Sequence, residues 1–104
     1  MTYWQWNANG LKNKKEWLMD TIYSANDLPF VIMVSETHCH LRQAAPYIEG
    51  YSHWCSNHET GSKGTAIYYR TILPAARIDD GTNARITAGI IRGTICIVVY
   101  APVN

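Results

Sequence analysis

The chain has 104 residues and a formal net charge of +1, which fits one small domain and excludes a basic field spread over the whole surface. Hydrophobic residues make up 47% of the sequence and charged residues 16%, so we expect a packed core and not a disordered tail. Any contact with nucleic acid must therefore come from a local cluster of lysines or arginines.

The cysteines and the amino terminus bear on the cellular compartment. Three cysteines, an odd number without close Cys-x-x-Cys spacing, argue against a disulfide framework and favour a reducing compartment. The residues after Met1 do not form the basic segment and apolar run of a secretory signal, and no apolar run is long enough for a membrane span. We therefore expect an intracellular protein, nuclear or cytoplasmic, that is neither secreted nor held in a membrane.

The first part of the chain predicts a strand, a helix and a second strand. Residues 2–6 form an aromatic strand, and Asn13 with Glu16 three positions later is typical of a capping box at a helix start. An apolar helix face follows, made by Trp17, Leu18, Thr21, Ile22 and Ala25. Residues 30–34 are an almost unbroken apolar run, as expected of a buried strand. The pattern predicts a right-handed βαβ unit.

Polar residues follow both of these strands at the point where the apolar pattern ends. Asn7 follows the first strand, and Glu36 follows the second. In open α/β sheets, ligands bind beyond the carboxyl ends of the strands. An amide and a carboxylate brought to that edge predict a site for a hard cation and a phosphate.

The remaining residues predict a meander of strands. Residues 41–47 fit either a short helix or a loop, and strands are expected at 52–57, 65–72, 85–92 and 94–100, the last two joined by a tight turn at Arg92-Gly93. We expect mostly one mixed sheet with one helix, which leaves a sheet face uncovered. We therefore expect residues 1–104 to be the N-terminal portion of a domain that is incomplete at its C-terminus.

Four stretches of the sequence, in order and covering nearly the whole chain, carry a family resemblance. They are Gln5-Trp6-Asn7-Ala8-Asn9-Gly10-Leu11, Ser35-Glu36-Thr37-His38, Gly64-Thr65-Ala66-Ile67-Tyr68-Tyr69 and Val99-Tyr100-Ala101-Pro102. Together they resemble the endonuclease/exonuclease/phosphatase family. Within that family, they are most similar to the apurinic-like endonuclease domain of non-LTR retrotransposon polyproteins.

The resemblance implies a DNase I-like fold, a four-layered α/β/β/α sandwich, and a magnesium-dependent cut in a DNA phosphodiester bond. Glu36 matches the family's Mg²⁺-binding glutamate, and Asn7 matches the asparagine beside it that orients metal and phosphate. Tyr100 matches a tyrosine near the scissile phosphate. The resemblance also implies DNA as the partner and a reverse transcriptase domain in the same polyprotein.

The sequence also departs from the family pattern. The family's Gly-Asp-x-Asn and Ser-Asp-His motifs, which carry a catalytic aspartate and histidine, do not occur among these residues. Asp79 and Asp80 lie in a turn and do not replace them. We therefore expect the isolated chain to be inactive as a nuclease. The alternatives are a truncated, non-catalytic retroelement remnant, and a small-molecule phosphoesterase of the same fold.

Each candidate residue also has a plainer interpretation. Glu36 fits a surface carboxylate, Asn7 a turn residue, and Tyr100 a core or interface tyrosine. His38-Cys39-His40 suggests zinc, but no second ligand pair has metal spacing, which favours a polar loop. The predicted helix start also carries Lys12, Lys14 and Lys15. These lysines fit either a DNA-binding cluster or a run of charged residues exposed to water.

Overall fold

The computed structural model describes residues 2–40, 43–58 and 63–101, and these ranges contain seven strands, one α-helix and one 3-10 helix. In chain order the elements are β1 (Tyr3–Asn7), the 3-10 helix (Lys12–Lys14), α1 (Lys15–Ser24), β2 (Val31–Ser35), β3 (Tyr51–Ser56), β4 (Thr65–Arg70), β5 (Ala75–Arg77), β6 (Ile86–Ile91) and β7 (Thr94–Val99). Residues 43–47 form neither helix nor strand, whereas 41, 42 and Pro102 lie outside the described ranges.

The first sheet is mixed, as predicted, and has the strand order β1-β2-β4-β3. Strands β1 and β2 are parallel, and the β2–β4 and β4–β3 pairs are antiparallel. Helix α1 connects the two parallel strands and buries Leu18 and Ile22 in a cluster with Ile32 and Val34 of β2. The strand–helix–strand unit expected from the sequence is therefore confirmed.

Three strands form a second, antiparallel sheet with the order β5-β6-β7. Its inner face packs against the first sheet: Ile91 and Val98 share a buried cluster with Val31 and Ile67. The expectation of mostly one sheet is corrected here, because β5, β6 and β7 pair with one another in a sheet of their own. A sheet with two apolar faces is thus covered by α1 on one side and by strands on the other.

A polar network joins the two sheets at one end of the sandwich. Arg77 donates from Nε to Asp79 Oδ1 and from a terminal nitrogen to Asp79 Oδ2, both at 2.9 Å, and also to Ser56 Oγ of β3 at 2.9 Å. Thr87 Oγ1 of β6 lies 2.9 Å from Ser56 Oγ and 2.9 Å from Thr65 Oγ1 of β4. Because each hydroxyl has a partner, these groups are buried without an unpaired polar atom.

Two local predictions are corrected. Asn13 does not cap the helix: it lies inside the 3-10 turn, α1 begins at Lys15, and Lys14 is its N-cap without a side-chain capping bond. Trp17, assigned to the buried helix face, is 56% exposed. The short strand β5 was missed because three residues, two of them alanine, carry no alternation that would distinguish a strand from a loop.

The outer face of the second sheet is apolar and exposed. Cross-strand pairing places its exposed aliphatic side chains on this face: Ile78, Ile90, Ile95, Ile97 and Val99. In the part of the chain that the structure describes, no helix is long and apolar enough to cross a membrane.

Candidate functional site

The site is built where the parallel strands β1 and β2 end side by side. Asn7 is paired with Ser35 at the last position of the ladder. The backbone pairing continues into the loops: the amides of Ala8, Gly10 and Leu11 donate to the carbonyls of Ser35, Glu36 and Thr37, each at 2.9 Å. The two loops therefore run together as one rigid edge beyond the strands.

The segment that carries Glu36 is also held from its other side. Thr37 N donates to Gly64 O at 3.1 Å, and His38 N donates to Lys63 O at 2.9 Å. Glu36 and His38 have left-handed backbone angles, φ +53° and +56°. Non-glycine residues adopt such angles only where surrounding contacts hold them, and this strain concentrates at functional sites.

The Glu36 carboxylate is available for a ligand. Its side chain is 23% exposed, and His38 Nε2 lies 3.9 Å from its Oε1. Within the described ranges no lysine or arginine pairs with it. A carboxylate without a cationic partner at the edge of a sheet is suited to binding a cation.

Asn7 has the turn geometry that its plainer interpretation predicts, and it still faces the site. Its Oδ1 accepts a hydrogen bond from Asn9 N at 3.2 Å, across a turn in which Asn9 and Gly10 have φ +45° and +99°. An amide oxygen has two lone pairs. The turn uses one of them, so the second remains available to a ligand.

A cleft of about 280 Å³ brings the ends of three strands together. It is lined by residues of β1, β2 and β7: Gln5, Trp6, Asn7, Met33, Ser35, Ile97, Val98 and Val99. Glu36 directly follows the lining residue Ser35, and Tyr100 directly follows Val99 and is anchored by its N–H to Arg85 O at 2.8 Å. The structure therefore places Asn7 in the lining of this cleft, and places Glu36 and Tyr100 each directly after a lining residue in the chain.

The oxygen atoms of Glu36 and Asn7 fit magnesium better than zinc. One carboxylate and one amide oxygen suit a hard ion that keeps most of its waters. In residues 2–40, 43–58 and 63–101, no group of three or more His, Cys, Asp or Glu side chains is arranged to hold a metal. Burial also raises the pKa of the Cys39 thiol, despite its hydrogen bond to Thr37, which disfavours the thiolate that zinc requires.

The three candidate lysines do not act as one cluster. Lys12 and Lys15 line a different cavity of about 400 Å³, together with Cys39, Gln43 and Pro46 among others. Lys14 Nζ donates to Ala8 O and, at 3.5 Å, to Asn9 O. Two of the lysines are thus directed to one surface, and the third contacts the turn after Asn7.

Sequence reasoning missed the support around Glu36. Thr37 is 1% exposed, and its Oγ1 has no hydrogen-bond partner in the part of the chain that the structure describes. Gly64 has φ +120°, and a Cβ there would overlap Thr37 Oγ1. The glycine at the start of the Gly64–Tyr69 stretch was the sequence feature that could have indicated this support. A turn that needs a positive φ, and a backbone packed closely against a neighbouring side chain, both favour glycine.

The comparisons with known proteins identify the fold. The chain is similar to the AP endonuclease LMAP from Leishmania major (TM-score 0.78, 16% identity, 94% of this chain and 39% of that one). It is also similar to the 3′ phosphatase NExo from Neisseria bound to a product DNA hairpin (0.76, 20%, 96% and 41%). A third similar structure is the 3′–5′ exonuclease NExo from Neisseria meningitidis (0.72, 23%, 96% and 41%).

These similarities are structural and cover part of each neighbour. No family model and no curated protein matches the sequence. The chain spans about two fifths of the length of the solved structures it matches. The mixed sheet, the one α-helix among the described residues and these neighbours together show that the chain has a partial DNase I-like α/β fold.

Proposed function

We propose that this chain carries the metal-binding edge of a magnesium-dependent nuclease domain that acts on DNA phosphodiester bonds. The observation that carries the proposal is a cleft at the ends of three strands, which Asn7 lines and whose lining residues Ser35 and Val99 are directly followed by Glu36 and Tyr100. The names of the structural neighbours, an AP endonuclease and an exonuclease, support the same chemistry, and one neighbour is bound to a DNA hairpin.

In this proposal, each residue has a defined role. Glu36 and Asn7 would hold Mg²⁺ through oxygen atoms, and the ion would supply positive charge to offset the negative charge on the phosphoryl oxygens. Tyr100 donates its hydroxyl hydrogen to a phosphate oxygen at the rim of the cleft. The rigid loop edge keeps Glu36 and Asn7 in place before the substrate arrives, which lowers the cost of ordering them.

The general base is not among these residues. Water attack on a phosphodiester needs a carboxylate or histidine within hydrogen-bond reach of the water. The Gly-Asp-x-Asn and Ser-Asp-His motifs that would provide it are absent from the 104 residues. We therefore propose that this chain binds Mg²⁺ and DNA but does not cleave DNA by itself.

The finer assignment is retrotransposon target-site cleavage alongside a reverse transcriptase domain. It is supported by the Trp6–Leu11 and Ser35–His38 stretches, which resemble that branch of the family. A non-catalytic remnant would keep the same metal-binding edge. A phosphatase activity is the second candidate function, because one structural neighbour is a 3′ phosphatase.

Magnesium titration with backbone and side-chain NMR tests the proposal. We expect saturable shifts at Asn7 and at the residues around Glu36, and Glu36→Gln should weaken Mg²⁺ binding by about tenfold or more because it removes the anionic ligand. Glu49→Gln, at an exposed position outside the cleft, is the matched control. Equal affinity in the wild type and Glu36→Gln would refute the metal assignment.

The same proteins then test the substrate. We expect DNA binding that weakens with salt, and no nicking of a supercoiled plasmid. Replacing both Lys12 and Lys15 with alanine should lower the salt slope by about 1 per lysine if each contacts a phosphate. Magnesium-dependent nicking that is lost in Glu36→Gln would show that the 104 residues are catalytically complete. Hydrolysis of a 3′ phosphate without nicking would favour the phosphatase.

A further inference from the structure

We propose that Lys14 is a positioning residue for Asn7 and does not contact the DNA phosphates. The proposal rests on the proposed function, because it assigns Asn7 to the metal. Its basis is that the Lys14 ammonium group donates to two successive carbonyls of the turn that directly follows Asn7, Ala8 O and Asn9 O.

The turn needs this donor for a physical reason. Ala8 is fully buried, and the two residues that follow it, Asn9 and Gly10, have left-handed backbone angles. Among the described contacts, the Ala8 carbonyl has the Lys14 ammonium as its hydrogen-bond donor. A buried carbonyl without a donor would cost about 1–3 kcal/mol, so the ammonium group stabilises this one turn conformation.

This turn conformation also fixes the side chain of Asn7. Asn9 N donates to Asn7 Oδ1 at 3.2 Å, and the orientation of that N–H depends on the peptide between Ala8 and Asn9. Lys14 contacts the carbonyl on each side of Asn9 N. One continuous set of hydrogen bonds therefore runs from the Lys14 ammonium group through the turn to Asn9 N–H and Asn7 Oδ1. It ends at the amide oxygen that the proposed function assigns to the metal.

This role also explains a lysine at an unfavourable position. Lys14 is the N-cap of α1, where the positive end of the helix dipole disfavours a cation. Bonds to two carbonyl oxygens offset that repulsion locally. Lys14 is also partly buried, whereas Lys12 is exposed.

The test compares Lys14→Met, which keeps most of the aliphatic side chain and removes its donors, with Lys14→Arg and the control Arg70→Met, a cation at the end of β4 opposite to the site. We expect Lys14→Met to weaken Mg²⁺ binding by about tenfold, the effect typical of losing a residue that orients a metal ligand. In the metal-free protein it should also speed hydrogen exchange at Asn9 N and shift the Asn7 side-chain amide signals. Lys14→Arg should largely restore both properties, and Arg70→Met should change neither.

Each outcome has a distinct meaning. If Lys14→Met leaves Asn9 exchange, the Asn7 signals and Mg²⁺ affinity unchanged but lowers the salt slope of DNA binding by about 1, Lys14 is a phosphate contact and the proposal is overturned. If the wild type does not bind Mg²⁺ while Lys14→Met still alters Asn7 and Asn9, the positioning is correct and the proposed function fails. Thermal unfolding of each variant verifies that the fold persists.

Discussion

At the scale of single residues, Asp79 contributes most clearly to the stability of the sandwich. Its carboxylate accepts hydrogen bonds from Arg77 and from the backbone amides of Ala88 and Gly81. Burial raises the pKa of this group, but the hydrogen bonds of Arg77, Ala88 and Gly81 outweigh burial and lower the pKa from 3.8 to about 2. The ionised form is therefore favoured by folding.

Replacing Asp79 with asparagine should destabilise the fold near neutral pH. The lowered pKa corresponds to about 2 kcal/mol of stability for the ionised group, and its side chain is only 13% exposed, so solvent screening is modest. Because the folded-state pKa is below the unfolded value, this stability is present above pH 3.8 and is lost as the pH falls through about 2. Urea unfolding at several pH values measures the effect.

The neighbouring Asp80 provides the control. Its carboxylate is fully exposed and, in the ranges that the structure describes, accepts its side-chain hydrogen bonds within its own turn, from Thr82. Asp80→Asn should therefore shift the unfolding midpoint much less than Asp79→Asn. A gap between wild type and Asp79→Asn that stays constant from neutral pH down to pH 3.8 and below would contradict the ionic origin of the effect.

The sequence predicted the position of residues that directly follow a strand. It did not predict the contacts of residues whose hydrogen-bond partners are distant in the chain. Asn7 and Glu36 were placed correctly at one sheet edge because each follows an apolar strand directly. Asp79 was interpreted only as a turn residue, since its partner Ala88 and the hydroxyl of Ser56 belong to other strands. Lys14 was grouped with its neighbours because charge spacing does not reveal which carbonyl an ammonium group contacts.

At the scale of elements, Gly89 of β6 leaves space for a side chain of the opposite sheet. A Cβ at Gly89 would overlap the six-membered ring of Trp54 on β3. The absence of a side chain therefore lets Trp54 pack between the sheets, where its ring lies 4.7 Å from that of Tyr69. Gly89 does not need positive φ, so its requirement is space and not backbone freedom.

Gly89→Ala should destabilise the protein by about 1–3 kcal/mol, because overpacking forces Trp54 or the second sheet to move. In a Trp54→Leu background, where the overlapping ring atoms are gone, the same substitution should cost much less. A double-mutant cycle measured by chemical denaturation gives the coupling. Equal costs in both backgrounds would mean that the clash is not with Trp54.

Element prediction depended on the length and regularity of each pattern. The apolar run before Glu36 and the alternation in the last two strands predicted β2, β6 and β7 within one or two residues. The helix start was placed too early, because Asn13 and Glu16 have capping-box spacing but the 3-10 turn absorbs Asn13. Strand pairing was the weaker inference: local sequence does not reveal that β5, β6 and β7 form a sheet of their own.

At the scale of the whole molecule, one sheet has two covered faces and the other has one. The first sheet lies between α1 and the second sheet, whereas the outer face of the second sheet carries aliphatic side chains that are more than half exposed: Ile78, Ile95, Ile97 and Val99. Strand β7 is also an edge strand of its sheet. An apolar face beside an open strand edge promotes association between molecules.

Threonine substitutions on β7 separate this surface effect from stability. The combined variant Ile95→Thr, Ile97→Thr and Val99→Thr should reduce concentration-dependent association in sedimentation velocity, because it replaces exposed alkyl groups with hydroxyl groups and keeps β-branched side chains.

Within one strand, Val99 is 59% exposed and Val98 is 8% exposed. Val99→Thr should change the free energy of unfolding by no more than about 0.5 kcal/mol, whereas Val98→Thr buries a hydroxyl and should cost about 1–3 kcal/mol. If the triple variant associates as strongly as the wild type while remaining folded, association does not use the outer face of the second sheet. The edge strand β1 of the first sheet is then the surface to alter next.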